Sequence, residues 1–225
     1  MTYICTVLVE KNVDDMIRAA NNTKGSDIVE LRLDCLQDLS KESVDRLIKG
    51  INSNKIATVR KKEEGGTFEG KEDERISYLM QAIASGANYI DVELSTDLGW
   101  RYELVKKAKA KNCKVIISYY NLNETPSEDF LDGKIMDSFA SGASIVKIET
   151  TAKGADDAIR MINVVKKYTS QGKSMIGIVT GNDGKLTRVP WDALGNEITY
   201  VSLNNSDNGQ FTLDKAVELK KLLNG

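Results

Sequence analysis

The residues most suited to covalent chemistry lie in Gly142-Ala143-Ser144-Ile145-Val146-Lys147-Ile148-Glu149-Thr150. This run is apolar, rich in β-branched residues and bounded by a glycine and a polar loop, so it reads as a short strand with a lysine near its C-terminal end. Strand side chains alternate between faces, so Ile145, Lys147 and Glu149 share one face, and Val146 and Ile148 share the other. Burial penalises an ammonium, so a lysine held here is expected to have a lowered pKa and to act as a nucleophile. Its reaction would be Schiff-base formation with a ketone or aldehyde. A structural reading competes with this one, in which the lysine extends its charge to solvent from a strand end.

The chain has no histidine. That removes an imidazole base, a histidine-ligated metal and a Ser–His pair from any mechanism within it. Apolar residues make up 41% of the 225 positions and charged residues 28%, the proportions of a globular protein. The net charge of −2 offers no electrostatic surface for nucleic acid. Cys5, Cys35 and Cys113 show no C-x-x-C spacing, which points to reduced thiols in an intracellular protein. The first ten residues run directly into a strand pattern without a basic leader, and no segment reaches membrane length. The expectation is a cytoplasmic protein with no membrane partner.

Eight strands are expected, at residues 3–9, 27–34, 55–60, 89–94, 114–120, 142–150, 175–179 and 198–203. Helical patterns over 14–22, 38–51, 73–85, 98–111, 155–170 and 213–223 alternate with them, and Thr125-Pro126 opens a further helix. Ser40 is a candidate cap for the second helix. Strict alternation without a linker implies parallel strands joined by crossover helices. Eight such units predict an α/β fold of one domain spanning 1–225, a (β/α)8 TIM barrel, an architecture that typically takes about 250 residues. A doubly wound sheet fits less well, because no G-x-G-x-x-G follows the first strand and no P-loop is present.

In such a barrel the active site lies at the C-terminal ends of the strands. Those ends carry Arg32, Arg60, Glu93, Tyr120, Lys147 and Glu149, all on the polar parity of their strands. A barrel core prefers bulky aliphatic residues, so this many charges predict a functional mouth. Structural roles compete at single positions: Glu30 and Arg32 as a buried ion pair, and Asp34, Asp91 and Glu93 as orienting groups. The three cations and the missing histidine argue against a metal site there.

Taken together, these stretches resemble the type I 3-dehydroquinate dehydratases, barrel enzymes of the shikimate pathway that work through a lysine Schiff base. The resemblance spans nearly the whole chain. It is carried by Glu30-Leu31-Arg32-Leu33-Asp34, Thr58-Val59-Arg60 with Glu64-Gly65-Gly66, Tyr89-Ile90-Asp91-Val92-Glu93-Leu94, and Ser118-Tyr119-Tyr120-Asn121. It continues through Ile145-Val146-Lys147-Ile148, Gly184-Lys185-Leu186-Thr187-Arg188 and Ser206-Asp207-Asn208-Gly209-Gln210. The resemblance implies that Lys147 forms an imine with the ketone of 3-dehydroquinate, which acidifies the adjacent carbon for loss of water. Arg188 would clamp the substrate carboxylate with its planar fork. Glu30, Arg32 and Arg60 would hold substrate hydroxyls and keep Lys147 partly unprotonated, while Ser206 and Gln210 would belong to a closing lid. No cofactor or metal is implied, and family members are often homodimers.

The chain departs from the family where chemistry matters most. Tyr120 stands in place of the histidine that acts as general acid and base in the family, and Glu64 matches the glutamate that holds that histidine. Leu122 replaces an aromatic residue, Thr180 a methionine, Glu149 a small residue, and Asp207-Asn208 an Ala-Pro pair. Proton transfer in a dehydratase would then fall to Tyr120, if a cation lowers its pKa from about 10, or to Glu149. Two other functions remain open at this level. One is a Schiff-base lyase or aldolase for a related hydroxylated keto acid, and the other is a homologue that binds a cyclitol-like acid without turnover.

Overall fold

A computed structural model describes residues 2–188, 194–203 and 210–224. Eight parallel strands form a nearly closed barrel: β1 (Tyr3–Leu8), β2 (Ile28–Arg32), β3 (Asn54–Thr58), β4 (Tyr89–Glu93), β5 (Lys114–Asn121), β6 (Ile145–Thr151), β7 (Met175–Thr180) and β8 (Ile198–Ser202). From β1 to β7 each strand pairs with the next in sequence, and β8 pairs with β1, Cys5 lying opposite Tyr200. Between β7 and β8 the seam is held by single bonds. Glu197 N donates to the Met175 carbonyl at 2.8 Å, and Gly177 N donates to Asn196 Oδ1 at 2.9 Å.

Seven α-helices are described: α1 (Val13–Asn21), α2 (Lys41–Gly50), α3 (Glu72–Ser85), α4 (Leu98–Ala110), α5 (Glu128–Ala140), α6 (Ala155–Thr169) and α7 (Leu213–Asn224). Ser40 caps α2 as expected, its hydroxyl accepting from Ser43 N at 3.0 Å while Ser43 Oγ accepts from Ser40 N at 2.8 Å. Two expectations change. Pro126 lies before the cap of α5, which is Ser127, because a serine oxygen can take the orphan amide of Phe130 and proline cannot. The strand–helix alternation also does not give a described α-helix between β7 and β8. That connection contains the 3-10 turn Asp183–Thr187, and residues 189–193 lie outside the described set.

Alternation along the strands builds the barrel in layers. Outward-facing residues such as Leu31, Ala57, Val146 and Ile148 pack under the helices with Leu47, Ile76, Met161 and Val165, and truncating one of these costs about 2–5 kcal/mol. Inside, Cys5, Ile28, Ile56, Tyr89, Ile116, Ile145, Ile176 and Ile198 make an apolar floor, one residue per strand. Two residues further along, the same inner face carries Val7, Glu30, Thr58, Asp91, Ser118, Lys147, Ile178 and Tyr200. The interior therefore changes from apolar to ionic within one strand repeat, about 7 Å along the axis of each strand.

Candidate active site

The ionic layer opens into a cavity of about 420 Å³ at the C-terminal mouth of the barrel. Lys147, Tyr120, Glu64 and Glu149 line it, and so do Glu30, Arg32, Arg60, Arg188 and Gln210. Ser206 lies outside the described residues. Strand parity places Glu30, Arg32, Arg60, Tyr120, Lys147 and Glu149 on the cavity, and loops bring Glu64, Arg188 and Gln210 to it, but the pairings differ from what adjacency implied.

Arg32 does not pair with Glu30. It bonds Asp34 instead, with Nε 2.9 Å from Oδ1 and Nη2 2.7 Å from Oδ2, while Glu30 accepts from the Thr58 hydroxyl at 2.8 Å. The chain leaves β2 in a 3-10 turn, Leu33–Cys35, which swings Asp34 out of the strand's alternation and back toward the arginine. Asp34 also accepts from Thr67 N at 3.0 Å, tying Arg32 to the loop that carries Glu64.

That loop depends on glycine. Gly65 has a φ of 81°, and a Cβ on Gly66 would lie 2.1 Å from the Arg60 carbonyl oxygen, so only glycine lets residues 61–66 fold back over Arg60. Glu64 then hangs at the rim, with Oε1 accepting from Ser95 Oγ at 2.6 Å and Oε2 buried without a partner among the described residues. It therefore serves Ser95 and not Tyr120. Burial raises its pKa, and Ser95 offsets this only in part.

Glu93 does not face the cavity. It lies behind Arg60, fully buried, with Oε1 3.0 Å from Arg60 Nη1 and Oε2 2.5 Å from Nη1 of Arg75, a fully buried arginine on α3. Arg60 also donates to Ser118 Oγ at 2.9 Å and approaches Asp91 Oδ1 to 2.9 Å. Ser118 in turn donates to Asp91 Oδ1 at 2.6 Å. The result is a continuous chain of charges, Arg75–Glu93–Arg60–Asp91, ending 3.5 Å from Lys147 Nζ.

Lys147 is 3% exposed on its side chain. Burial works against its charge, but the phenols of Tyr120 and Tyr200, once ionised, and the carboxylates Glu30 and Asp91 outweigh it and raise the amine above its ordinary value. The expectation of a lowered pKa is corrected accordingly, since it counted desolvation and not the anions that neighbouring strands supply. Asp91 shows the reciprocal effect: burial opposes its ionisation, yet Arg60 and then Lys147 hold it below the usual carboxylate range.

The amine also lies between two rings, 4.2 Å from the centroid of Tyr200 and 5.4 Å from that of Tyr120. Tyr120 covers Arg60, whose Cζ is 4.2 Å from its ring centroid. Burial pushes the Tyr120 phenol up further than Arg60 and Lys147 pull it down, so the cations do not make it an easy acid. Tyr200, not singled out from sequence, belongs to the site: its ring lines the cavity and its buried hydroxyl has no partner among the described residues. The available signal was a large polar-tipped residue on the inner parity of the eighth strand.

On the opposite wall, Glu149 is half-buried and makes no hydrogen bond or ion pair with a described residue. Arg188 follows the 3-10 turn, whose Gly184 packs so closely that a Cβ would meet the Val179 carbonyl oxygen at 2.2 Å. Thr187 locks that turn, accepting from Val179 N at 3.1 Å and donating to the Gly184 carbonyl at 2.8 Å. Arg188 is buried, with no carboxylate in ion-pair contact among the described residues; burial lowers its pKa and Glu149 opposes this at longer range.

A barrel whose C-terminal mouth holds a buried lysine, together with a carboxylate and an arginine that have no close partner among the described residues, has the architecture of an α/β-barrel enzyme acting on a small anionic substrate. Residues 4–225 match the model of the type I 3-dehydroquinase family. The chain is 35% identical over 206 residues to the 3-dehydroquinate dehydratase of Dehalococcoides mccartyi, covering 90% of this chain and 88% of that one. It is 32% identical over 223 residues to the 3-dehydroquinate dehydratase of Methanococcus maripaludis, covering 98% and 99%. The crystal structure of the Aquifex aeolicus 3-dehydroquinate dehydratase superposes with a TM-score of 0.81 at 30% identity, over 99% of this chain and 98% of that one. The chain belongs to the type I 3-dehydroquinase family.

Proposed function

We propose that this protein is a 3-dehydroquinate dehydratase of the shikimate pathway in which Glu149 performs the proton transfer. The observation that carries this reading is the carboxylate of Glu149, without a hydrogen-bond or ion-pair partner among the described residues, on the same strand face as Lys147 and in the same cavity. Lys147 adds through Nζ to the substrate ketone, and the carbinolamine loses water to give an iminium. Because the resting amine is held protonated, it first gives a proton to Glu149, which has no other partner among the described residues; Glu149 returns that proton to the carbinolamine hydroxyl as it leaves as water, and is again a carboxylate when the iminium forms. The iminium withdraws electrons from the adjacent carbon, and Glu149 takes a proton there. The resulting enamine expels the β-hydroxyl, which leaves as water with that proton, and hydrolysis of the product iminium regenerates Lys147. Tyr120 and Tyr200 offer their ring faces to the cation throughout, and Arg188 receives the substrate carboxylate.

The reading includes a homodimer in the cytoplasm; the free thiols of Cys5, Cys35 and Cys113 suit a reducing compartment. Among the described residues no helix is long and apolar enough to cross a membrane.

The test compares Glu149→Gln with Tyr120→Phe, following formation of the conjugated product by absorbance. Glu149→Gln is expected to lose roughly 10²–10⁴-fold in kcat while borohydride still traps substrate on Lys147. Tyr120→Phe keeps a ring over Arg60 and should lose less than roughly tenfold. The opposite order would move the proton transfer to Tyr120, and failure of the unaltered protein to be trapped would end the Schiff-base reading.

A further inference from the structure

Arg75 does not line the cavity, but it anchors the chain of charges that ends at Lys147. It is fully buried on α3, and all five of its N–H donors have partners. Nε and Nη2 take the two oxygens of Glu72 at 2.8 and 2.9 Å, and Nη2 also donates to Thr96 Oγ1 at 2.8 Å. Nη1 donates to the Val59 carbonyl at 3.1 Å and to Glu93 Oε2 at 2.5 Å. A guanidinium satisfied on every edge has one orientation, and here that orientation commits one oxygen of Glu93. Only Oε1 is left for Arg60 Nη1, at 3.0 Å, so the two do not form a bidentate pair. Arg60 Nη2 turns instead to Asp91 Oδ1 at 2.9 Å. Asp91 Oδ2 then stands 3.5 Å from Lys147 Nζ, longer than a charge-assisted hydrogen bond.

We propose that Arg75 is a positioning residue for the reactive amine: by holding one oxygen of Glu93 it leaves Arg60 to Asp91, and so keeps Asp91 from closing on Lys147. The proposal deepens the dehydratase reading and takes from it only that Lys147 is the nucleophile. Without Arg75, Glu93 can present both oxygens to Arg60 and draw it away. Asp91 then has Lys147 as its nearest cation, and the ammonium gives up its proton less readily. Removing the positive charge of Arg75 acts in the same direction. The other groups around Lys147 stay in place. Glu30 comes from β2, the Tyr120 and Tyr200 rings from β5 and β8, and the Cys5 thiol from β1. Glu149 shares its strand face, and its register partner on β7 is the uncharged Ile176.

The test reads the amine directly, without substrate. The protein and its variants are labelled with acetic anhydride at mildly alkaline pH, and acetylation of Lys147 is measured by peptide mass spectrometry against the exposed Lys109. Arg75→Met should lower that ratio roughly tenfold, one unit in the proton affinity of the amine. Glu93→Gln should raise it roughly threefold, because Arg60 then belongs to Asp91 and the site loses an anion, while Glu72 still neutralises Arg75. Arg75→Lys keeps a cation for Glu93 and should recover most of the loss. Shifts of opposite sign separate positioning from damage, since a loosened site would expose Lys147 and raise its labelling in both variants. A rise or no change in Arg75→Met overturns the proposal. If Arg75→Met does not fold, Glu93→Gln decides alone: a rise supports the proposal and no rise overturns it. Borohydride trapping of dehydroquinate checks the dehydratase reading separately. No trapping in the unaltered protein ends that reading and leaves the labelling result standing, whereas trapping with unmoved labelling keeps the reading and overturns the role of Arg75.

Discussion

The two walls of the cavity are built on opposite electrostatic plans. On the wall from β2 to β5 every arginine is matched: Arg32 by Asp34, Arg60 by Asp91 and Glu93, and Arg75 by Glu93 and Glu72. On the wall from β6 to the loop after β7, Glu149 and Arg188 have no close partner among the described residues. A buried charge left unmatched costs stability, so matched charges belong to the scaffold and unmatched ones are held open for a ligand. Lys147 stands at the boundary, tied to the matched wall through Asp91 and facing the open one.

Removing Lys147 should have the largest consequence. Lys147→Ala is expected to lose on the order of 10⁴-fold or more in kcat and all borohydride trapping, read by mass spectrometry of the intact protein. Retained trapping would place the imine on another lysine and void the division between the walls.

The next effect separates the walls by stability. Arg75→Met leaves Glu93 Oε2 buried without its arginine, with Arg60 still on Oε1, and should cost about 3–5 kcal/mol in urea unfolding. Arg188→Gln leaves no close partner behind, so it should change stability by less than about 1 kcal/mol while weakening binding of a carboxylate ligand roughly 10–100-fold. Equal destabilisation by the two variants would contradict the comparison.

A smaller effect appears with acid. Because the folded protein holds Asp91 below the usual carboxylate range, its contribution is fully present above that range and is lost as pH falls through the depressed value. The urea midpoint should therefore decline on the acid side, and Asp91→Asn should flatten that decline while lowering stability at neutral pH. An unchanged acid slope in Asp91→Asn would remove Asp91 from the linkage.

The smallest effect concerns the rim. Glu64 has the opposite sign: its raised folded value means that its stability contribution is greatest when protonated and falls as pH rises through that value. Glu64→Gln should raise Tm by a few degrees at neutral pH and by nothing in acid. A Tm lowered at neutral pH would show that the Ser95 bond outweighs burial.

The (β/α)8 fold was legible because its signal is local. A period of two along each strand puts Ile145, Lys147 and Glu149 on one face whatever the rest of the chain does, and the alternation of strands with helices leaves few topologies. The same parity gathers Arg32, Arg60, Tyr120, Lys147 and Glu149 at one mouth without reference to any contact. Tyr200 escaped notice because a lone aromatic on the inner parity of a strand reads as core.

Pairing was decided only in three dimensions. Arg32 is two residues from both Glu30 and Asp34, and the 3-10 turn after β2 chooses the second. Glu93 shares the parity of the mouth, yet Arg75 reaches it from a helix and holds it behind Arg60. The charge state of Lys147 shows the reason most plainly. Sequence reports its burial, which lowers the pKa of an amine. Tyr120 and Tyr200, once ionised, and the carboxylates Glu30 and Asp91 reach it from other strands of the folded barrel, and Coulombic attraction in a poorly solvated interior outweighs that burial.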